Sequence, residues 1–165
     1  MSFSIAQLNA LSHAEFVEAV GPVFEKSPWI AAEAAAGRPF ADFEALRQAL
    51  CERVRRGTAE EQMALICAHP DLVGRLTLTA ESQREQASAG LQHLTPDEVE
   101  IFRARNAAYR ARFGFPFIIC ARLNKKEAIL AGFAERLPHS REDEIKTALE
   151  EIFKIAELRL RDIVA

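Results

Sequence analysis

The chain has 165 residues, 49% apolar and 27% charged, with a formal net charge of −3 and a pI near 5.9. That balance describes a globular domain with a sizeable core and excludes a disordered tail or a fibrous chain. The mild acidity gives no bulk attraction to nucleic acid or anionic lipid, and no apolar run approaches the ~18 residues of a membrane span.

Glycine and proline number only 7 each, while alanine is abundant, which favours helix because alanine loses no side-chain entropy there. No basic residue precedes Lys26, so no secretory leader is expected, and Asp162-Ile163-Val164-Ala165 is no peroxisomal or retention signal. A cytoplasmic protein is the expectation. Ser12 with Glu15 opens the first predicted helix, 12–25, which Pro22 bends or ends. The next, 28–36, carries an alanine cluster suited to close packing. Helices follow at 42–55 and, from Thr58 with Glu61, at 59–68, where His69-Pro70 stops the run. Further helices are predicted at 81–90 and, from Thr95-Pro96 with Glu98, at 96–112. The last two are 125–137 and, from Ser140 with Asp143, 141–163. The expected fold is all-α, a single-domain bundle of about eight helices with short connections over residues 1–165.

Residues 113–121, FGFPFIICA, break the pattern. Pro116 biases Phe115 toward an extended backbone, yet no other segment reads as a partner strand. The peptide groups of such a run must find side chains, water or a ligand; a plain hydrophobic connector is the alternative.

In the last helix Ile145, Leu149, Ile152, Ala156, Leu160 and Ile163 form one stripe, with Ala148 and Ile155 at its border. Glu151 and the other charges fall outside it, leaving Arg159 as the only charge on the stripe. A guanidinium there is either half of an internal ion pair, a stem that packs while its head reaches water, or an anchor for a carboxylate or carbonyl. Ser82 and Glu85 have the spacing of a helix cap, but Glu85-Gln86 would also set an ionisable acceptor beside an amide. Cys51, Cys67 and Cys120 are odd in number and dispersed, as are His13, His69, His93 and His139. They read as core cysteines and unrelated histidines, neither a disulfide framework nor a metal site.

The blocks HPDLVGRL (69–76), TAESQREQASAGL (79–91), FGFPFIICARLN (113–124) and EIFKIAELRL (151–160) together resemble the OHCU decarboxylase family. Its members act in urate degradation on 2-oxo-4-hydroxy-4-carboxy-5-ureidoimidazoline. The resemblance covers nearly the whole chain, with a shorter connection from Leu72 to Ala80. It implies a homodimer that needs no cofactor or metal and yields (S)-allantoin. His69 matches the family's catalytic histidine, Glu85 a catalytic carboxylate and Arg159 an arginine completing the site. Pro70, Ser82 and Gln86 match substrate-binding positions. Phe117, Ile118, Ile119, Cys120 and Ala121 match a segment that offers backbone groups to the ligand. Two other classes stay open at this point: a binding domain or hydrolase for another cyclic ureide, and a helical interaction module indifferent to neutral substitutions at His69 and Glu85.

Overall fold

The computed structural model describes residues 2–74 and 78–165. Arg75 and Leu76, which close the HPDLVGRL block, and part of the Leu72–Ala80 connection lie outside the described residues. The fold is all-α: among the described residues there are nine α-helices and three 3-10 turns, and the only β pairing is a bridge between Phe3 and Val164. No described helix is long and apolar enough to cross a membrane. The chain divides into two compact units, Met1–Ala68 with Phe153–Ala165, and His69–Ile152.

In the first unit, α1 (Ile5–Ala10) is a helix not expected from the sequence. Ser4 accepts the Gln7 N–H, and the Gln7 side chain accepts the Ser4 N–H. The box has an amide, Gln7, at the position where the boxes at Ser12, Thr58 and Thr95 carry a glutamate. The reciprocal box at Ser12 and Glu15 opens α2 (His13–Val20) as expected. The helix stops short of residue 25, because Pro22 sits in the 3-10 turn Gly21–Val23 that follows. The alanine cluster does let α3 (Trp29–Ala34) pack closely: it buries Ile30, Ala31 and Ala34 and lies against both α2 and α4 (Phe43–Arg55). Helix α5 (Ala59–Ala68) starts from the predicted exchange between Thr58 and Glu61. The unit's ends meet where the Phe3 N–H donates to the Ile163 carbonyl and the Ala165 N–H to the Phe3 carbonyl.

The second unit holds α6 (Ala80–Ser88), α7 (Pro96–Phe113), α8 (Lys126–Arg136) and the first half of α9 (Arg141–Ile163). Helix α7 has the predicted Thr95/Glu98 box, with proline at its first position. It ends on Gly114 at φ 83°, the left-handed region that a side chain disfavours. A Cβ added there would meet nothing within 4 Å, so only backbone conformation opposes it. Gly114→Ala is expected to cost about 1–2 kcal/mol in a urea titration, whereas a loss near zero would mean that the turn relaxes.

The core of this unit is aromatic. Tyr109, buried on α7, packs within 5.2 Å of the Phe117 ring centroid, and Phe117 stacks on Phe133 of α8 at 3.9 Å. On α9 the buried positions are rotated from the predicted stripe. Ala148 and Ile155, read as its border, are buried, whereas Ile145 and Leu149 are only half-buried. Glu144 and Glu151 are buried as well, so Arg159 is not the only charge on that face. The displacement follows from pairing: each carboxylate meets a donor on another element of its own unit. Cys51 and Cys120 are buried, but Cys67, also read as a core residue, is exposed.

Candidate active site

Helix α6 is an unusual piece of protein interior. Thr79, not Ser82, is its cap, accepting the Ser82 N–H at 3.2 Å. Ser82 and Glu85 are therefore not a capping pair, and with Gln86 they lie at i, i+3 and i+4 on one face. Those three polar residues are the ones α6 buries. Burying polar groups costs free energy unless they are hydrogen-bonded, so the hydrophobic effect does not account for this helix's place.

What holds α6 is a set of polar ties. The Val73 N–H donates to Gln86 Oε1 at 3.1 Å, and Gln86 Nε2 lies 3.5 Å from the Asp71 carbonyl. The turn after His69-Pro70 is thus fastened to α6. From the other side, Asn106 Nδ2 donates to the Leu72 carbonyl at 2.7 Å, and the Arg110 guanidinium lies 3.1 Å from the Asp71 carboxylate. Val73 adopts φ 58°, rare for a β-branched residue, within this clamp. His69 enters the turn as a buried side chain, 7% exposed. At the far end of α6, Lys125 Nζ donates to the Ser88 carbonyl at 2.7 Å.

Helix α6 packs against the 3-10 turn Ala121–Leu123, and its Glu85 carboxylate acts on Cys120 of the irregular segment 117–121. Burial above all, then the Glu151 and Glu85 carboxylates, push the Cys120 thiol up from its ordinary value. Cys120 is therefore a protonated thiol in an acidic surrounding, unsuited to act as a nucleophile.

Three of that segment's polar groups are met by side chains, the first of the three options its sequence left open. Arg136 Nη1 donates to the Ile118 carbonyl at 2.6 Å, and the Cys120 N–H donates to Glu151 Oε1 at 3.1 Å. Asn124 Nδ2 donates to the Cys120 carbonyl at 2.9 Å. Arg136 is itself held by Glu144, 2.8 Å from its Nε, and the Tyr109 hydroxyl donates to the same carboxylate. Burial and the Glu144 carboxylate push the Tyr109 phenol above its ordinary value, so it remains a donor.

Arg136, Glu144 and Glu151, which hold this segment, are not singled out by the sequence. A signal existed for Arg136, which follows Ile129 and Phe133 at helical spacing on the buried face of α8. Arg159 belongs to the first unit, where it is 4% exposed. Its Nη2 pairs with the buried Glu25 at 2.9 Å, and its Nη1 donates to the Pro22 carbonyl at 3.1 Å. The ion pair that the sequence left as the alternative to a pocket is present.

The family model of OHCU decarboxylases matches residues 9–161. The chain belongs to the OHCU decarboxylase family. It is 42% identical over 159 residues to the 2-oxo-4-hydroxy-4-carboxy-5-ureidoimidazoline decarboxylase of Haloferax volcanii, covering 96% of this chain and 95% of that one. The enzyme of the same name from Amia calva is 44% identical over 162 residues, covering 96% and 93%. Among solved structures, an (S)-allantoin synthase superposes with a TM-score of 0.82 at 29% identity, over 98% of this chain and 54% of that one. Within this OHCU decarboxylase family member, His69, Ser82, Glu85, Gln86 and Phe117–Ala121 fall in the second unit, with Arg159 in the first.

Proposed function

We propose that the protein decarboxylates 2-oxo-4-hydroxy-4-carboxy-5-ureidoimidazoline to (S)-allantoin and CO2 in urate degradation, acting as a cytoplasmic homodimer. The observation that carries this reading is the buried polar face of α6, set against segment 117–121 in a chain of this family.

The substrate has a hydroxyl and a carboxylate on one ring carbon, beside a ring C=N bond. When the carbon–carboxylate bond breaks, its electron pair passes into that C=N unit. The hydroxyl carbon becomes a carbonyl, its proton passing to the ring nitrogen, and the neighbouring carbon takes a further proton on one face. The electron sink is internal, so the chemistry asks the protein for orientation, exclusion of water and a directed proton. His69 is the proposed proton donor, and Glu85 polarises the substrate hydroxyl. Arg159 completes the catalytic set, with two guanidinium N–H donors already committed to Glu25 and Pro22. Pro70, Ser82, Gln86 and the backbone of Phe117–Ala121 bind the ring and ureido groups. Each end of the Gln86 amide can make a second hydrogen bond beyond the one to the 71–73 turn.

The test is to generate the substrate enzymatically from urate and follow the optical rotation of the allantoin formed. Accelerated appearance of the (S) enantiomer is expected; racemic product at the uncatalysed rate would overturn the reading. Protein treated with chelator and dialysed is expected to keep its full rate. A rate abolished by chelation and restored by one metal would refute the cofactor-free route.

A further inference from the structure

Within segment 117–121, Ile119 stands apart. Its neighbours from Phe115 to Ala121 are buried and it alone is half-exposed. Among the described residues neither its N–H nor its carbonyl makes a hydrogen bond. The groups on either side are taken: the Ile118 carbonyl by Arg136 and the Cys120 N–H by Glu151. One donor and one acceptor are thus left on a single residue between two charged clamps.

We propose that Arg136 and Glu151 are positioning residues that present the Ile119 N–H and carbonyl to the ureide edge of the substrate. A cyclic ureide carries adjacent N–H and C=O groups, the complement of what Ile119 offers. The proposal rests on the reading that segment 117–121 borders the substrate.

The clamps are built to hold still. Arg136 lies between Glu144, which is fully buried, and the Phe117 ring, whose centroid is 4.2 Å from the guanidinium carbon. The Tyr109 hydroxyl donates to Glu144, and His139 Nδ1 lies 3.1 Å from the other carboxylate oxygen. A buried ion pair is weak evidence for stability, since desolvation offsets most of its attraction. Fixing a neighbour's geometry is the use that remains. The planar fork meets Glu144 through Nε and the Ile118 carbonyl through Nη1 in one fixed geometry, which a lysine ammonium does not reproduce.

The experiment is steady-state kinetics of wild type and Arg136→Lys with enzymatically generated substrate, alongside hydrogen exchange of the peptide containing Ile119. Losing a contact made equally in ground and transition states raises KM with little change in kcat. For Arg136→Lys we expect KM to rise roughly tenfold or more, with kcat within about threefold and faster exchange at 117–121. A purely structural Arg136 would lower the folded fraction, reducing apparent kcat while leaving KM alone, and that outcome overturns the proposal. Should Arg136→Lys fail to fold, Glu151 supplies the second arm. Glu151→Gln keeps an oxygen that accepts the Cys120 N–H and should stay near the wild-type KM, whereas Glu151→Met should raise it. Equal KM for those two variants also overturns the proposal. Wild-type protein that makes no (S)-allantoin overturns the proposed reaction itself, and this inference with it. Normal wild-type turnover with an unchanged variant KM overturns the positioning alone.

Discussion

Replacing His69 with asparagine is expected to lower turnover by ~10²–10⁴-fold, the usual worth of a positioned acid–base group, and to leave the fold intact. Asparagine matches much of the imidazole's bulk and hydrogen-bonding capacity but does not exchange a proton near neutrality. The backbone around position 69 has independent support, because Gln86, Asn106 and Arg110 hold the turn that follows. A histidine after a helix end contributes only ~0.3–1 kcal/mol through the helix dipole. Far-ultraviolet circular dichroism should therefore match wild type while the rate collapses. Turnover within about threefold of wild type would fall far short of the loss expected for a general acid–base group and return His69 to a structural part.

Arg159→Met is expected to destabilise the protein by ~3–5 kcal/mol, the cost of leaving a buried carboxylate without its cation. Glu25 is 1% exposed, so water cannot take over the missing charge without opening the first unit. For a chain of this size that corresponds to a fall in Tm on the order of 10 °C. The double variant Glu25→Gln with Arg159→Met should recover part of the loss, because the stranded charge is gone too. Affinity for (S)-allantoin should fall as well, at least ~10-fold, the weight of a charge-assisted contact. A large drop in Tm with unchanged affinity would remove Arg159 from the proposed catalytic set and leave it as Glu25's partner. Unchanged stability would mean that the pair is not needed in the free protein.

What could be read beforehand was local. The exchanges at Ser12/Glu15, Thr58/Glu61 and Thr95/Glu98 depend on residues three apart, and each forms where expected. The Ser4/Gln7 box obeys the same physics with an amide in place of the acid, a weaker signal in the sequence. The buried face of α9 was harder to read. Its register depends on Glu144 and Glu151 entering the interior, and whether a carboxylate can do so is decided by Arg136, Tyr109 and the Cys120 N–H. Those groups sit on other elements, 8 to 35 residues away in the chain, outside the periodicity of α9 itself. Ser82/Glu85 shows a further limit. Its spacing suits a cap or a shared face equally, and Thr79 decided between them by taking the cap itself.

The bridge between Phe3 and Val164 bears on how the protein is made. The second unit, His69–Ile152, is one continuous stretch of chain, whereas the first needs both its early and its late segments. On a ribosome adding roughly 5–20 residues per second, helices α1 to α5 emerge well before their last partner, by a delay on the order of ten seconds. During that interval the apolar faces of α2, α3 and α4 have only one another, and Glu25 has no Arg159. The unit that is synthesised first is thus completed last. Nascent chains stalled before Phe153 should bind chaperones through those helices, and release of the final segment should end that binding.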